Sequence, residues 1–154
     1  MSEKNCPPDF EKALAVGRPP NVAALFPNSK ALLVSGKVID RAMRKKGDAM
    51  TIAANCRSHI TLRGVLRAAM RADAAVILEI AKSEGGANAY CPVSLWNLAR
   101  QADAVLNELG ATVPVAIHAD HYGIKGEKDI VAARVEIPSL FDAGVTSIAI
   151  DASH

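Results

Sequence analysis

The sequence predicts an α/β fold in which parallel strands alternate with helices. Short apolar segments of strand length are separated by longer segments with helical periodicity, and small or polar residues follow each strand-like segment. Four such strands fit either a small open sheet or half of an eight-stranded barrel. The barrel is favoured because small and polar residues alternate with bulky ones along the last two strands, which suits an interior near a barrel mouth.

The first half of the alternation begins with a helix whose apolar side is Val38, Ile39, Ala42 and Met43. Ser58 is a plausible N-cap for the next helix, whose buried face repeats at i, i+3, i+4 and i+7. The predicted segments are, in order, a helix over 36–46, a strand over 50–56, a helix over 58–71, a strand over 75–80 and a loop over 81–92.

The second half repeats the pattern. Gly110 is a good left-handed terminator for the third helix, and Pro138 should kink or split the fourth. The predicted segments are a helix over 94–109, a strand over 113–119, a helix over 127–143 and a strand over 146–151.

Length and composition indicate one domain. The chain has 154 residues, of which 50% are hydrophobic, so it is long enough for one core and too short for two ordinary domains. A formal charge of +2 and 4% aromatic residues argue against a nucleic-acid surface. We expect a Pro-rich lead with short helices over 1–35 and a partial barrel domain over 36–154.

The cellular setting is predicted from cysteines and apolar runs. Three cysteines without a CxxC pair, and an N-terminus without an apolar run, indicate reduced thiols in the cytoplasm. No stretch approaches the roughly 18 apolar residues of a membrane helix, so we expect no membrane partner.

The segment VPVAIHADHYG concentrates titratable groups at the end of the third strand. His118 and Asp120 should share one face of the strand, and His121 should turn toward the same place where the strand gives way to Tyr122. Such a group offers a metal ligand beside an acid/base, or a proton relay. A catalytic zinc usually has three protein ligands, and these residues do not fix such a set.

Two other strand ends have weaker signals. The backbone N–H groups of Ser83, Gly85 and Gly86 could approach a phosphate, although two glycines also suit a simple tight turn. Asn55 ends the first strand, and taken alone it fits a structural role better than ligand binding. In parallel α/β folds, however, ligands bind at the edge where these residues meet.

Four segments together resemble the N-terminal half of the class II, zinc-dependent fructose-bisphosphate aldolases and their tagatose-bisphosphate relatives. They are AMTIAANCRSHITLRGVLRAA, VILEIAKSEGG, VPVAIHADHYG and AGVTSIAIDASH, and the resemblance covers about residues 30–154. It implies a (β/α)8 TIM barrel. It also implies a lyase of glycolysis and gluconeogenesis that cleaves a ketose bisphosphate, with Zn²⁺ as cofactor, to dihydroxyacetone phosphate and an aldehyde such as glyceraldehyde 3-phosphate.

The resemblance also assigns roles. It implies that His121 ligates the zinc, that Asp120 protonates the aldehyde oxygen on cleavage, and that Asp151 lies at a possible second metal position. By the same resemblance, Ser83, Gly85 and Gly86 face a substrate phosphate and Asn55 lies near the substrate.

The sequence departs from the family pattern at several positions. Tyr122 and Ala152 stand where the family commonly has glycine, and Ala81 competes with Ser83 for the phosphate position because the spacing after Glu79 is longer than usual. The family's other zinc ligands have no counterpart in the matched segments. We therefore expect a fragment of the enzyme that is inactive alone.

Two rival hypotheses remain open at this stage. The chain could be a non-catalytic half-barrel that self-associates or pairs with a separate C-terminal half, because four parallel strands leave two free edges. It could also be another metal- or phosphate-binding (β/α) barrel enzyme, since the architecture alone does not choose the reaction.

Overall fold

The computed structural model describes residues 9–153, which form a four-stranded parallel sheet with helices packed against it. The strands are β1 (Ile52–Asn55), β2 (Val76–Ala81), β3 (Val115–Gly123) and β4 (Ser147–Asp151). Within the described residues the helices are α1 (Phe10–Gly17), α2 (Pro20–Leu25), α3 (Gly36–Lys46), α4 (His59–Ala72), α5 (Lys82–Gly85), α6 (Leu98–Leu109) and α7 (Glu127–Asp142).

The strands lie side by side in chain order, β1-β2-β3-β4, and every neighbouring pair is parallel. Helices α4, α6 and α7 lie in the three connections. A doubly wound open sheet reverses its direction of growth at a switch point, whereas a barrel sheet proceeds in one direction around an axis. The prediction of four parallel strands with helical crossovers is confirmed, and the arrangement is that of a partial TIM barrel.

The main core lies between the outer face of the sheet and the crossover helices. Alternate residues of β2, such as Leu78 and Ile80, are fully buried there. Leu62 and Leu66 of α4 join the same cluster, as the helical periodicity predicts. Packing in this core therefore fixes which face of each strand lies against the helices and which is the inner face.

A smaller cluster covers the amino-terminal end of the inner face. It consists of Phe10, Leu32, Val34, Ile39 and Ala116. Because α1 and α3 contribute Phe10 and Ile39, they close this end of the face with apolar side chains. The polar residues of the inner face are thereby left toward the carboxyl edge of the sheet.

The third strand is longer than predicted. It continues past Ala119 to Gly123, and its register with β4 shifts between Ala119 and Tyr122. Three steps along β3 there match two steps along β4, which is a β-bulge. His121 lies in the bulge with φ +42°, a left-handed conformation that is uncommon for a residue with a side chain.

Two helix predictions and one loop prediction need correction. The third predicted helix begins at Leu98 rather than Ser94, because residues 94–97 form a turn in which Asn97 accepts from the Ser94 N–H. The predicted loop over 81–92 contains the short helix α5. Helix α7 is continuous from Glu127 to Asp142, so Pro138 does not split it.

None of the helices within residues 9–153 combines the length and the apolar character that a membrane span requires.

Candidate active site

A row of side chains crosses the inner face of the sheet near its carboxyl edge. Asn55 of β1 is in register with Glu79 of β2, and Glu79 with His118 of β3. His118 is in turn in register with Ser147 of β4. Asp120 lies two residues nearer the edge, with its Oδ1 3.9 Å from Nε2 of His118. The predicted common orientation of His118 and Asp120 is confirmed.

Burial shifts the pKa values of Glu79 and His118 in this row. Ligand atoms of Glu79, His118 and Asp120 all lie within 4.8 Å of one another. Burial raises the pKa of Glu79, and the negative charge of Asp120 raises it further. Burial also lowers the pKa of His118, which outweighs the attraction of Asp120. His118 is therefore a neutral imidazole at neutral pH, with one nitrogen that donates and one that accepts.

His121 is the exposed member of the site. Its side chain is 70% exposed, and each ring nitrogen has a carboxylate nearby. The Nδ1 atom lies 3.2 Å from Oδ2 of Asp151, and Nε2 lies 3.7 Å from Oδ2 of Asp120. The hydrogen bond with Asp151 and then the charge of Asp120 raise the pKa of His121. The bulge thus turns this imidazole toward the strand tips, as the sequence predicts, without ending the strand.

Hydrogen bonds hold the side chain of Asp151 in its ionised form. Its Oδ1 accepts from the hydroxyl of Ser153 at 2.5 Å and from the Ser153 N–H at 2.9 Å. These two bonds, with the smaller contribution of His121, lower the pKa of Asp151 to about 2. The other oxygen, Oδ2, is left facing His121.

A cleft of about 670 Å³ opens at the carboxyl edge of the sheet. His121 and Asp151 line it on one side, and Ser83 and Gly86 of the loop after β2 line it as well. The predicted metal-site residues and two of the predicted phosphate-loop residues therefore share one cleft.

Two predicted substrate residues lie outside the lining of that cleft. Gly85 is buried, and a Cβ on it would meet Cδ1 and Cγ2 of Ile80 at 2.9 Å, so its lack of a side chain serves close packing. Asn55 donates its Nδ2 to Oε2 of Glu84 at 2.6 Å. Ser83 and Gly86 are the two predicted substrate residues that line the cleft.

Residues 36–154 match the sequence model of the family described as fructose-bisphosphate aldolase class-II. The chain belongs to this family. Fructose-bisphosphate aldolases of Staphylococcus aureus and Staphylococcus epidermidis are each 35% identical to it over 92 residues. These matches cover 60% of this chain and 28% of each relative, so the chain spans little more than a quarter of the curated relatives it matches.

Tyr122, which by the resemblance stands where the family commonly has glycine, is buried at the tip of β3. Its ring is 1% exposed, and its hydroxyl donates to Oε2 of Glu136 at 2.5 Å. The Lys82 ammonium lies 4.2 Å from the ring centroid and 3.3 Å from the same Glu136 oxygen. Tyr122 therefore ties the tip of β3 to α7 and to the loop after β2.

Sequence reasoning missed Glu84 and Glu136, the two carboxylates that organise these contacts. Glu136 stands in a segment without a recognisable motif, and Glu84 lies between the serine and the glycines of the candidate phosphate loop. Their partners lie 14 and 29 residues away along the chain. Tyr122 had a weak signal, because it stands where the family commonly has glycine.

Proposed function

We propose that the chain contributes part of a class II aldolase active site, which cleaves a ketose bisphosphate to dihydroxyacetone phosphate and an aldehyde such as glyceraldehyde 3-phosphate. The observation that supports this is the shared cleft: His121 and Asp151 line it together with Ser83 and Gly86. A metal ligand and a phosphate-binding loop on one cleft suit a phosphorylated substrate with a reactive carbonyl group. We place this reaction of sugar-phosphate metabolism in the cytoplasm.

The donor chemistry at the strand tips fits zinc. A zinc-ligating histidine usually donates its second ring N–H to a carboxylate, and His121 has Asp151 at one nitrogen and Asp120 near the other. His121 would hold the metal, and Asp151 would serve a second metal position. Bound zinc supplies a Lewis acid that stabilises negative charge on the substrate's ketone oxygen.

Asp120 is the proposed proton carrier. Cleavage turns a substrate hydroxyl into the aldehyde carbonyl, so the residue must accept that proton during cleavage and return it during condensation. The resemblance alone assigned the opposite sense to the cleavage step. Asp120 is suited to the role because its Oδ1 and Oδ2 lie 3.9 and 3.7 Å from the imidazoles of His118 and His121.

Substrate contacts are assigned to the loop after β2. The Ser83 hydroxyl and the backbone of Gly86 border the cleft and would meet a phosphate. Gly85 would support this loop by its packing on Ile80, and Asn55 would lie beside the substrate at the tip of β1. Ala81 stays a competitor of Ser83 until the phosphate position is determined.

The isolated protein is expected to be catalytically silent. Among the described residues, the cleft is lined by one imidazole, His121, and by the carboxylates of Asp129, Glu136 and Asp151. The proposed ligands, His121 and Asp151, are fewer than the three protein ligands of an ordinary catalytic zinc site. We expect substoichiometric zinc in the purified protein, measured by plasma emission, and no cleavage of fructose 1,6-bisphosphate in a coupled assay. Stoichiometric zinc with turnover that EDTA abolishes would contradict this expectation.

A second candidate function, assembly of a larger barrel, is favoured by the surface beside β1. An apolar groove of about 320 Å³ runs between this strand and α4, and it includes Thr51, Ala54 and Val65. Met50 and Ile52 at the same edge are 89% and 68% exposed. Exposed apolar side chains next to a strand edge favour pairing with another parallel βα unit.

This assembly proposal predicts self-association. We expect light scattering at 10 to 100 μM, on the order of ordinary purification concentrations, to report a dimer or larger species. Replacing Ile52 with lysine should shift the protein toward monomer, because a charge at a strand edge blocks edge pairing. Lysine in place of exposed Val131 on α7 is the matched control. A monodisperse, folded wild-type monomer would contradict the proposal.

A further inference from the structure

Glu84 joins the ends of two strands through one carboxylate. The residue is only 9% exposed. The Oε2 atom accepts from Nδ2 of Asn55 at 2.6 Å and from the Ala81 N–H at 3.4 Å. The Oε1 atom accepts from the guanidinium of Arg57, which forms an ion pair with it. One residue of α5 thus holds the last residue of β1, the loop behind it and the end of β2.

The carboxylate remains ionised at neutral pH. Burial alone would raise the pKa of Glu84, but the hydrogen bonds from Asn55, Arg57 and Ala81 outweigh burial and lower it. An ionised carboxylate can only accept hydrogen bonds, whereas an asparagine amide can present either its NH₂ or its oxygen. Charge therefore decides which end of the Asn55 amide faces Glu84.

The opposite end of the Asn55 amide is left without a partner. Its Oδ1 is buried and has no hydrogen-bond donor within residues 9–153. A buried carbonyl oxygen without a donor costs free energy, so a donor that meets it is bound favourably. Arg57 is not that donor, because its bonded nitrogen is directed to Glu84.

We propose that Glu84 is a positioning residue that fixes the amide of Asn55 so that Asn55 offers its Oδ1, and therefore an acceptor, to a ligand hydroxyl group. This inference rests on the proposed function and gives Asn55 a defined specificity. An acceptor recognises the hydroxyl groups of a sugar or hydroxyketone and does not bind a phosphate or carbonyl oxygen. Phosphate recognition then stays with the loop that contains Ser83 and Gly86.

The first test observes the amide directly. In ¹H–¹⁵N spectra of the whole protein, the Asn55 side-chain NH₂ should give one proton shifted downfield and protected from exchange. Glu84→Gln should remove both features, since a glutamine amide can accept from or donate to Asn55 and no longer selects one orientation. An unshifted, unprotected wild-type NH₂ would overturn the proposal, and this result is independent of how well the variant folds.

Glu108→Gln is the matched control for that variant. Glu108 also forms an ion pair with an arginine, Arg63, but on the exposed surface between α4 and α6. Its neutralisation removes a carboxylate and an ion pair while leaving the strand ends intact. We expect the Asn55 signals of Glu108→Gln to match wild type. A similar change in both variants would overturn the specific role of Glu84.

The second test compares two phosphate probes by calorimetry. Dihydroxyacetone phosphate carries a hydroxyl group, and propyl phosphate does not. Wild type should prefer the hydroxylated probe, and Glu84→Gln should lose about tenfold of that preference, the effect of one ordinary hydrogen bond. Equal preference in both proteins overturns the hydroxyl assignment. Failure of wild type to bind either probe contradicts the proposed function instead, and the amide signals alone then decide the role of Glu84.

Discussion

Replacement of His121 by alanine is expected to weaken zinc binding by at least about tenfold. Loss of a partner that merely orients a ligand costs about 10- to 100-fold in metal affinity, so loss of the ligand itself should cost no less. His121 is the imidazole that faces the cleft, with its side chain 70% exposed and oriented by Asp151. His118 is 17% exposed and lies outside the lining of this cleft.

The measurement is a zinc competition titration against a chromophoric chelator at pH 7.5. His59→Ala is the matched control, because His59 is an exposed histidine at the start of α4 and away from the cleft. We expect the control to bind zinc as wild type does. Asp151→Asn should give an intermediate loss, because it keeps the imidazole and removes the carboxylate that orients it. Equal affinities of wild type and His121→Ala would exclude His121 as the ligand.

The strand tips show how far local sequence patterns reach. Alternation along β3 predicted that His118 and Asp120 share the inner face, and the structure confirms it. The same alternation could not predict the bulge, because one extra residue is visible only against the partner strand β4. The position of His121 depends on that bulge, and the predicted strand ended too early.

The loop after β2 shows more clearly what local sequence patterns cannot predict. Two adjacent glycines indicate a tight turn more often than a phosphate loop, and the structure places the two in different environments. Gly86 reaches the cleft, whereas Gly85 packs on Ile80. What separates the two is the short helix α5, which hydrophobic periodicity cannot detect in four residues. The contact of Glu84 with Asn55 spans 29 residues and depends on strand register.

Replacement of Tyr122 by alanine is expected to lower the free energy of unfolding by about 3–5 kcal/mol, the usual cost of deleting a buried aromatic ring. Tyr122 is 1% exposed and has the largest of the fully buried side chains among the described residues. Its loss also leaves Lys82 without the aromatic face that lies 4.2 Å away. Because a domain of this size is stable by only about 5–15 kcal/mol, this loss is a large share of the free energy of unfolding.

Tyr122→Phe separates the hydroxyl from the ring. It keeps the ring under Lys82 and removes the hydrogen bond to Glu136, whose pKa is lowered first by that bond and which is therefore ionised at neutral pH. A hydrogen bond to a charged group contributes about 1.5–3 kcal/mol, so the phenylalanine variant should fall between wild type and alanine. Urea titration followed by circular dichroism gives the three values.

Tyr90→Ala serves as the control, because Tyr90 is 73% exposed. Its unfolding free energy should stay within about 0.5 kcal/mol of wild type, as for other exposed sites. A loss of less than about 1 kcal/mol in Tyr122→Ala, below the range for buried aromatic residues, would contradict the tie between β3, α7 and the loop after β2. If the tie holds, Tyr122→Ala should also weaken zinc binding, because Tyr122 directly follows His121 in the bulge that turns the imidazole toward the cleft.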